Sequence, residues 1–272
     1  MSSSVKSENL FQKKSCVVVC GASRGLGECI SITFAKKFLT GSVFILLSRD
    51  GKALENVKTS LQSECPDQLC ITKVFDQGIM QQENFECLFD GIVQSNNISL
   101  ADLEQVVMVH CAGTLGDITK YCKEMTDPKK VRENFDINVV GTILLNSAFL
   151  KAFKDVGSKV IINISSLAGI QPFKSWSLYC SGKAARDMFF RTLALEEPDI
   201  LILNYAPGPC ATDMQKDCRE QSADPETKQM FIDALNSGGL LSPQTSIDKL
   251  CEVLTSKFES GAHIDFYDEI KQ

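Results

Sequence analysis

Histidine is almost missing from this chain. His110 and His263 are the only two, they stand far apart, and no C-x-x-C pair accompanies them. Metal sites gather His and Cys at short spacings, so no bound metal is expected. Basic residues are in deficit, with Lys+Arg 28 against Asp+Glu 34 and a formal net charge of −6. The cationic excess that binds nucleic-acid phosphates is therefore lacking, and no nucleic-acid partner is expected. No run approaches the ~18 apolar residues of a membrane span. The opening MSSSVKSENLFQKKS lacks the apolar core of an export signal. The expectation is a cytoplasmic protein without a membrane partner. Its twelve cysteines are scattered, several inside apolar runs such as CVVVC, and read as buried reduced thiols rather than a disulfide framework.

What is present is alternation. Short β-rich apolar runs fall at Cys16–Cys20, Val43–Leu47, Ile71–Phe75, Val106–His110, Lys159–Ile164, Ile200–Tyr205 and His263–Phe266. Between them amphipathic segments predict helices over Leu26–Phe38, Gly51–Ser63, Gln82–Ser95, Pro128–Phe153, Ser175–Leu195 and Ser246–Lys257. Fully apolar strands belong to a parallel sheet covered on both faces. The fold class is α/β: a single-domain, Rossmann-like, doubly wound parallel sheet of about seven strands. The 272 residues suit one such domain, with 1–14 expected to be a flexible N-terminal extension. The polar segment 208–239 interrupts the alternation just after a strand's C-terminal end. It reads as a substrate lid, with a plain surface excursion as the alternative.

The first strand runs into CGASRGLGECI. Gly21 allows a tight turn, while Gly25 and Gly27 let backbone approach a pyrophosphate and pack helix on sheet. The following helix N-terminus offers unpaired N–H groups to phosphate. The second strand ends LLSRDG, where Arg49, with Arg24, can bracket a 2′-phosphate. That charge argument favours NADP(H), although Asp50 would reverse it if the register slipped by one. Asp76 can accept from an adenine amino group, or cap a helix.

Tyr179 and Lys183 stand at i and i+4 and share a helix face. Most such pairs are structural, but Ser165 and Ser166 end the strand before this helix and Asn138 lies in the helix before that. A carbonyl that receives hydride needs a proton donor within hydrogen-bond reach. A phenol with a neighbouring ammonium, which is expected to favour the phenolate, suits that task.

GASRGLG, AGTLGD, NISS and YCSGK, in this order, resemble the short-chain dehydrogenase/reductase family over nearly the whole chain. In that family the active-site serine precedes the tyrosine by thirteen residues, which selects Ser166. The resemblance implies a catalytic set of Asn138, Ser166, Tyr179 and Lys183. It also implies a cofactor set of Gly21, Ser23, Arg24, Gly25, Leu26, Gly27, Arg49, Asp76, Gln77, Ala112, Gly113, Tyr179, Lys183, Pro207, Gly208 and Thr212. SLAGIQPFKSWSLYCSGKAARDM and the tail SGAHIDFYD are similar to a branch that reduces side-chain carbonyls of pterins with NADPH. That narrower resemblance implies a small-molecule pterin partner held by Ser166, Tyr179 and Asp265. Leu115, Leu167, Trp176 and Met214 would wall the pocket, or simply pack in the core. A homodimer through the helices over Pro128–Phe153 and Ser175–Leu195 is implied as well. Two departures stand out. HCAG replaces the usual NNAG, so His110 is expected to substitute structurally, and Cys210–Ala211 replace an expected Leu–Asp. A carbonyl reductase of broad specificity and a catalytically silent NADP-binding protein remain as alternatives.

Overall fold

The computed structural model describes residues 9–270. In chain order its elements are β1 (Ser15–Cys20), α1 (Gly25–Lys37), β2 (Val43–Ser48), α2 (Gly51–Glu64), β3 (Leu69–Val74), α3 (Gln82–Glu86), α4 (Leu88–Ser95), β4 (Gln105–His110), α5 (Pro128–Phe135), α6 (Gly141–Ala152), β5 (Ser158–Ile164), α7 (Ser177–Glu196), β6 (Ile200–Ala206), α8 (Asp213–Gln221), α9 (Pro225–Asn236), α10 (Pro243–Thr255) and β7 (Ala262–Asp265). The strands form one seven-stranded sheet in the order β3-β2-β1-β4-β5-β6-β7. Every pairing is parallel, with Cys20 of β1 facing Leu47 on one side and His110 on the other.

Alternating side chains explain why such apolar strands are needed. Along β1, Val17 and Val19 join one core with Ile30, Phe34 and Leu250, while Cys16 and Val18 join the other with Phe89, Phe149 and Phe190. Both faces are buried, so no position along β1 tolerates water. The strand order reverses direction between β1 and β4. The loops leaving their C-terminal ends therefore diverge, and a crevice opens between them.

Several helices start on local chemistry. Asp50 accepts from Ala53 N to cap α2, and Asp127, Asp224 and Ser242 cap α5, α9 and α10, each followed by a proline. The start of α1 has no side-chain cap. The Asp50 carboxylate, just past the end of β2, is thus engaged with its own helix.

Two expectations need correction. Residues 1–8 of the expected flexible extension lie outside the described residues, but Leu10–Gln12 is a 3-10 turn. Phe11 there packs edge-on against Phe34 and Phe38, because an apolar pair at the sheet's end gains more from burial than from freedom. The expected helix over Pro128–Phe153 is interrupted by a π-turn at Asp136–Val140. Gly141 follows it, and a Cβ there would lie 2.0 Å from the Gln77 carbonyl oxygen, so the wider turn accommodates a close backbone approach. The run Pro128–Ala152 is also long and apolar enough by composition to cross a membrane. Its Asn134, Asn138, Thr142 and Asn146 are nonetheless buried within the fold. The segment 208–239, expected as a lid, has regular structure. It folds into α8 and α9, which pack on each other beside the crevice.

Candidate active site

One cavity of about 770 Å³ opens at the C-terminal ends of the strands. Its floor is the turn after β1. Gly21 has φ +92°, and a Cβ on Gly27 would stand 2.0 Å from the Gly21 carbonyl oxygen. Only glycine lets α1 start that close, and the first residues of that helix, Gly25 and Leu26, border the cavity with no side-chain cap on the helix start. Gly21, Ser23, Arg24, Gly25 and Leu26 line the cavity, as do Arg49, Asp76, Gln77, Ala112, Gly113, Pro207, Gly208 and Thr212. Gly27 does not; it serves the packing behind the loop. Arg24 and Arg49 are exposed at the mouth, and Arg24 Nη1 pairs with Asp213 at 2.7 Å. Asp76 Oδ1 accepts from Gly78 N in a tight turn rather than capping a helix. The Gln77 amide is already engaged: its Nε2 donates to Ile137 O at 2.7 Å, and its Oε1 accepts from Cys20 Sγ at 3.1 Å.

Tyr179, Lys183, Ser166, Leu167, Leu115, Trp176, Met214 and Asp265 line the same cavity. Lys183 Nζ lies 5.6 Å from the Tyr179 ring centroid and donates to Ile164 O at 2.6 Å. The two serines part company. Both border the cavity, but Ser165 is buried with its Oγ donating to Asp187 at 2.6 Å, whereas Ser166 is half-buried and its hydroxyl is not tied to that carboxylate. Trp176 donates through Nε1 to Ser222 at 2.9 Å and stacks on Phe231 with ring centroids 5.0 Å apart, which ties α8 and α9 to the wall. Asn138 is not at the cavity surface. Its amide clasps Thr114, accepting from the backbone N and donating to the O, both at 2.9 Å. It therefore holds the loop after β4 from behind.

The electrostatics differ from the sequence expectation. Burial pushes the Tyr179 phenol up, opposed by Ser166 and then by the Arg186 charge. Desolvation outweighs any help the ammonium gives, so the phenol keeps its proton at neutral pH. Burial, then the Arg186 charge, brings Lys183 down to about 7.

Arg186 is the residue that spacing could have revealed and did not. It stands at i+7 from Tyr179 and i+3 from Lys183, on the same helix face. Fully buried, it donates to Asn163 Oδ1, Ala112 O and His110 O at 2.6–2.9 Å. His263 and Asp187 form a second, partly buried pair, Nδ1 to Oδ2, at 2.7 Å. Phe173, Phe231 and Tyr267 complete the wall; the first and last lie inside the stretches that carry the resemblance without having been singled out, and Phe231 lies in no motif.

His110 is structural. Its Nε2 lies 3.3 Å from Asn146 Oδ1 and its ring 5.2 Å from that of Phe190. Burial, with the Arg186 charge second, lowers it to about 3. Between its ordinary value near 6.5 and about 3, the unfolded chain takes a proton that the folded chain refuses. Stability therefore falls as pH drops through that window, by about 2 kcal/mol at pH 5. His110→Asn should shrink the difference in unfolding free energy between pH 7.5 and 5 by that amount. Urea titrations at both pH values check this, and an unchanged difference refutes it.

A parallel sheet with an open glycine turn after β1, and a phenol and amine facing one crevice, defines a nucleotide-dependent oxidoreductase. The short chain dehydrogenase family profile matches residues 15–223. The chain belongs to that family. It is 39% identical over 255 residues to a sepiapterin reductase of Bos taurus, covering 93% of this chain and 94% of that protein. A benzil reductase ((S)-benzoin forming) of Bacillus cereus is 30% identical over 253 residues, with 90% and 96% covered. Among solved structures, a Shigella flexneri 2a protein complexed with NADP superposes with a TM-score of 0.76 at 24% identity. It covers 96% of this chain and 100% of its own.

Proposed function

We propose that this protein reduces side-chain carbonyls of pterins with NADPH, sepiapterin being the type of substrate and tetrahydrobiopterin formation the setting. The observation that carries the reading is a carboxylate, Asp265, in the same cavity as Tyr179, Lys183 and Ser166. A pterin presents an amino group and a ring N–H side by side, and one carboxylate accepts from both. The sepiapterin reductase likeness supports the same substrate class.

The residues fit NADPH. The uncapped start of α1 and the Gly21 turn suit a pyrophosphate. Arg24 and Arg49 suit a 2′-phosphate, Asp76 an adenine amino group, Thr212 a carboxamide and Lys183 a ribose. The NADP complex of the Shigella neighbour points the same way. Bound NADPH supplies the hydride. Ser166 holds the substrate's carbonyl oxygen, and Tyr179, whose proton burial retains, donates to that oxygen as negative charge develops on it. Asn138 supports from behind by fixing the Thr114 loop. The helices α8 and α9 act as the lid over the substrate end. The exposed Val140, Leu144 and Met188 on the helices expected to pair are consistent with a homodimer. Twelve free thiols fit a reducing compartment such as the cytoplasm.

The test is NADPH oxidation with sepiapterin, run beside NADH and beside a small diketone. In Asp265→Ala the KM for sepiapterin should rise about ten- to a hundredfold, the worth of a charged hydrogen bond, with little change for the diketone. Equal effects on both substrates remove the anchor role. A second reading, a carbonyl reductase of broad specificity, draws on the benzil reductase relative and the aromatic wall of Phe173, Trp176 and Phe231. Faster turnover of aromatic diketones than of sepiapterin would favour it.

A further inference from the structure

We infer that His263 is a positioning residue: paired with Asp187, and helped by Asp268, it sets the distance from the Asp265 carboxylate to Ser166 and Tyr179. The inference rests on the pterin reading above and names what makes that anchor effective.

β7 is a poor platform by itself. It has four residues, none fully buried, and lies at the edge of the sheet with β6 as its one strand neighbour. Short edge strands open easily. Asp265 is its last residue, so the anchor needs pinning from outside the ladder. Asp187 of α7 supplies that. Its carboxylate is buried, Oδ1 accepting from Ser165 Oγ at 2.6 Å and from Asn163 Nδ2 at 3.0 Å. Its Oδ2 takes His263 Nδ1 at 2.7 Å. Ser165 directly precedes Ser166, and a Cβ on Gly169, in the same turn, would stand 3.0 Å from Asp187 Oδ2. One carboxylate thus touches the turn that carries Ser166 and the strand that carries Asp265. His263 and Asp265 are two residues apart on a strand and share a face, so a shift at one is felt at the other.

The far side is closed by Asp268. Its Oδ2 accepts from Asp265 N at 2.8 Å, and its own N donates to Asp265 O at 3.0 Å. Asp265 Oδ1 also accepts from Tyr267 N at 3.1 Å, which orients the carboxylate. The anchor is held from both directions along the chain. A substrate gripped at its ring by Asp265 and at its carbonyl by Ser166 depends on the span between them. A small carbonyl compound that never reaches Asp265 does not.

The test uses the full chain with NADPH and two substrates, sepiapterin and 2,3-butanedione. His263→Leu should lower kcat/KM for sepiapterin about tenfold or more, because misplacement by an ångström is costly in a positioned reaction, with the diketone value nearly unchanged. His263→Asn, whose amide N–H can stand where Nδ1–H stood, should restore most of the loss. Asp268→Ala, at an exposed site that cannot unfold the core, should give a smaller loss, again confined to sepiapterin. Parallel losses on both substrates, or no recovery in His263→Asn, would show plain structural support and overturn the inference. If His263→Leu does not fold, Asp268→Ala decides, and equal effects on its two substrates refute the claim. A wild-type chain that leaves sepiapterin untouched defeats the functional reading instead, before any variant is compared.

Discussion

Tyr179→Phe is expected to cut carbonyl reduction by about 10²–10⁴-fold, the usual worth of a positioned proton donor, while NADPH affinity stays nearly unchanged. The phenol is buried at the cavity wall with Met214 Sδ 3.9 Å from its oxygen, and Phe fills the same space without a proton to give. Binding is expected to survive because the change leaves the other groups proposed to hold the nucleotide, from the Gly21 turn to Thr212, in place along the crevice. Stopped-flow turnover beside NADPH fluorescence titration separates the two effects. Full turnover in the variant would take Tyr179 out of the chemistry, and a joint collapse of turnover and NADPH binding would mean the site had been deformed. The direction of the phenol's perturbation matters here. Its proton is retained rather than released, which suits a donor in the reductive direction.

Arg186→Leu is expected to cost about 3–5 kcal/mol of stability, the range seen when one partner of a buried charged network is removed. Its guanidinium satisfies His110 O, Ala112 O and Asn163 Oδ1, at the point where β4 and β5 open onto the cavity. Leucine leaves those acceptors buried without donors, and Asp187 without a cation beside it. Against a typical total of about 5–15 kcal/mol, that is a large fraction. Thermal unfolding should show a drop of about 10 °C or more for a chain of this size. Arg186→Lys should recover part of it, since an ammonium carries the charge but lacks the planar fork. Arg191→Ala, on the exposed side of the same helix, should change little. A loss of stability in Arg186→Leu no larger than in Arg191→Ala would refute the network's role.

Much of this molecule is legible along the chain, for reasons that are local. The unbroken apolar runs CVVVC and VFILL mark strands buried on both faces, and all seven strands fall where the apolar runs do, give or take two residues. The Gly21–Gly27 turn announces itself because no other residue fits its backbone approach. Tyr179 and Lys183 are related by one turn of helix, so their shared face needs no tertiary knowledge. The misses have the opposite character. The π-turn at Asp136–Val140 exists because the Gln77 backbone presses on Gly141, sixty-odd residues away in sequence. The helices α8 and α9 sit in a polar stretch whose apolar contacts are few and made to the cavity wall.

Sequence alone determined the order of the strands, the glycine turn after β1 and the phenol–amine pair, since each is written in spacings of a few residues. Tertiary structure alone decided that Ser165 is committed to Asp187, that burial dominates the electrostatics at Tyr179, and that Asp187 joins the Ser166 turn to β7. Desolvation and through-space hydrogen bonding depend on what surrounds a group in three dimensions, and neighbours brought together from distant parts of the chain leave no periodic trace in it.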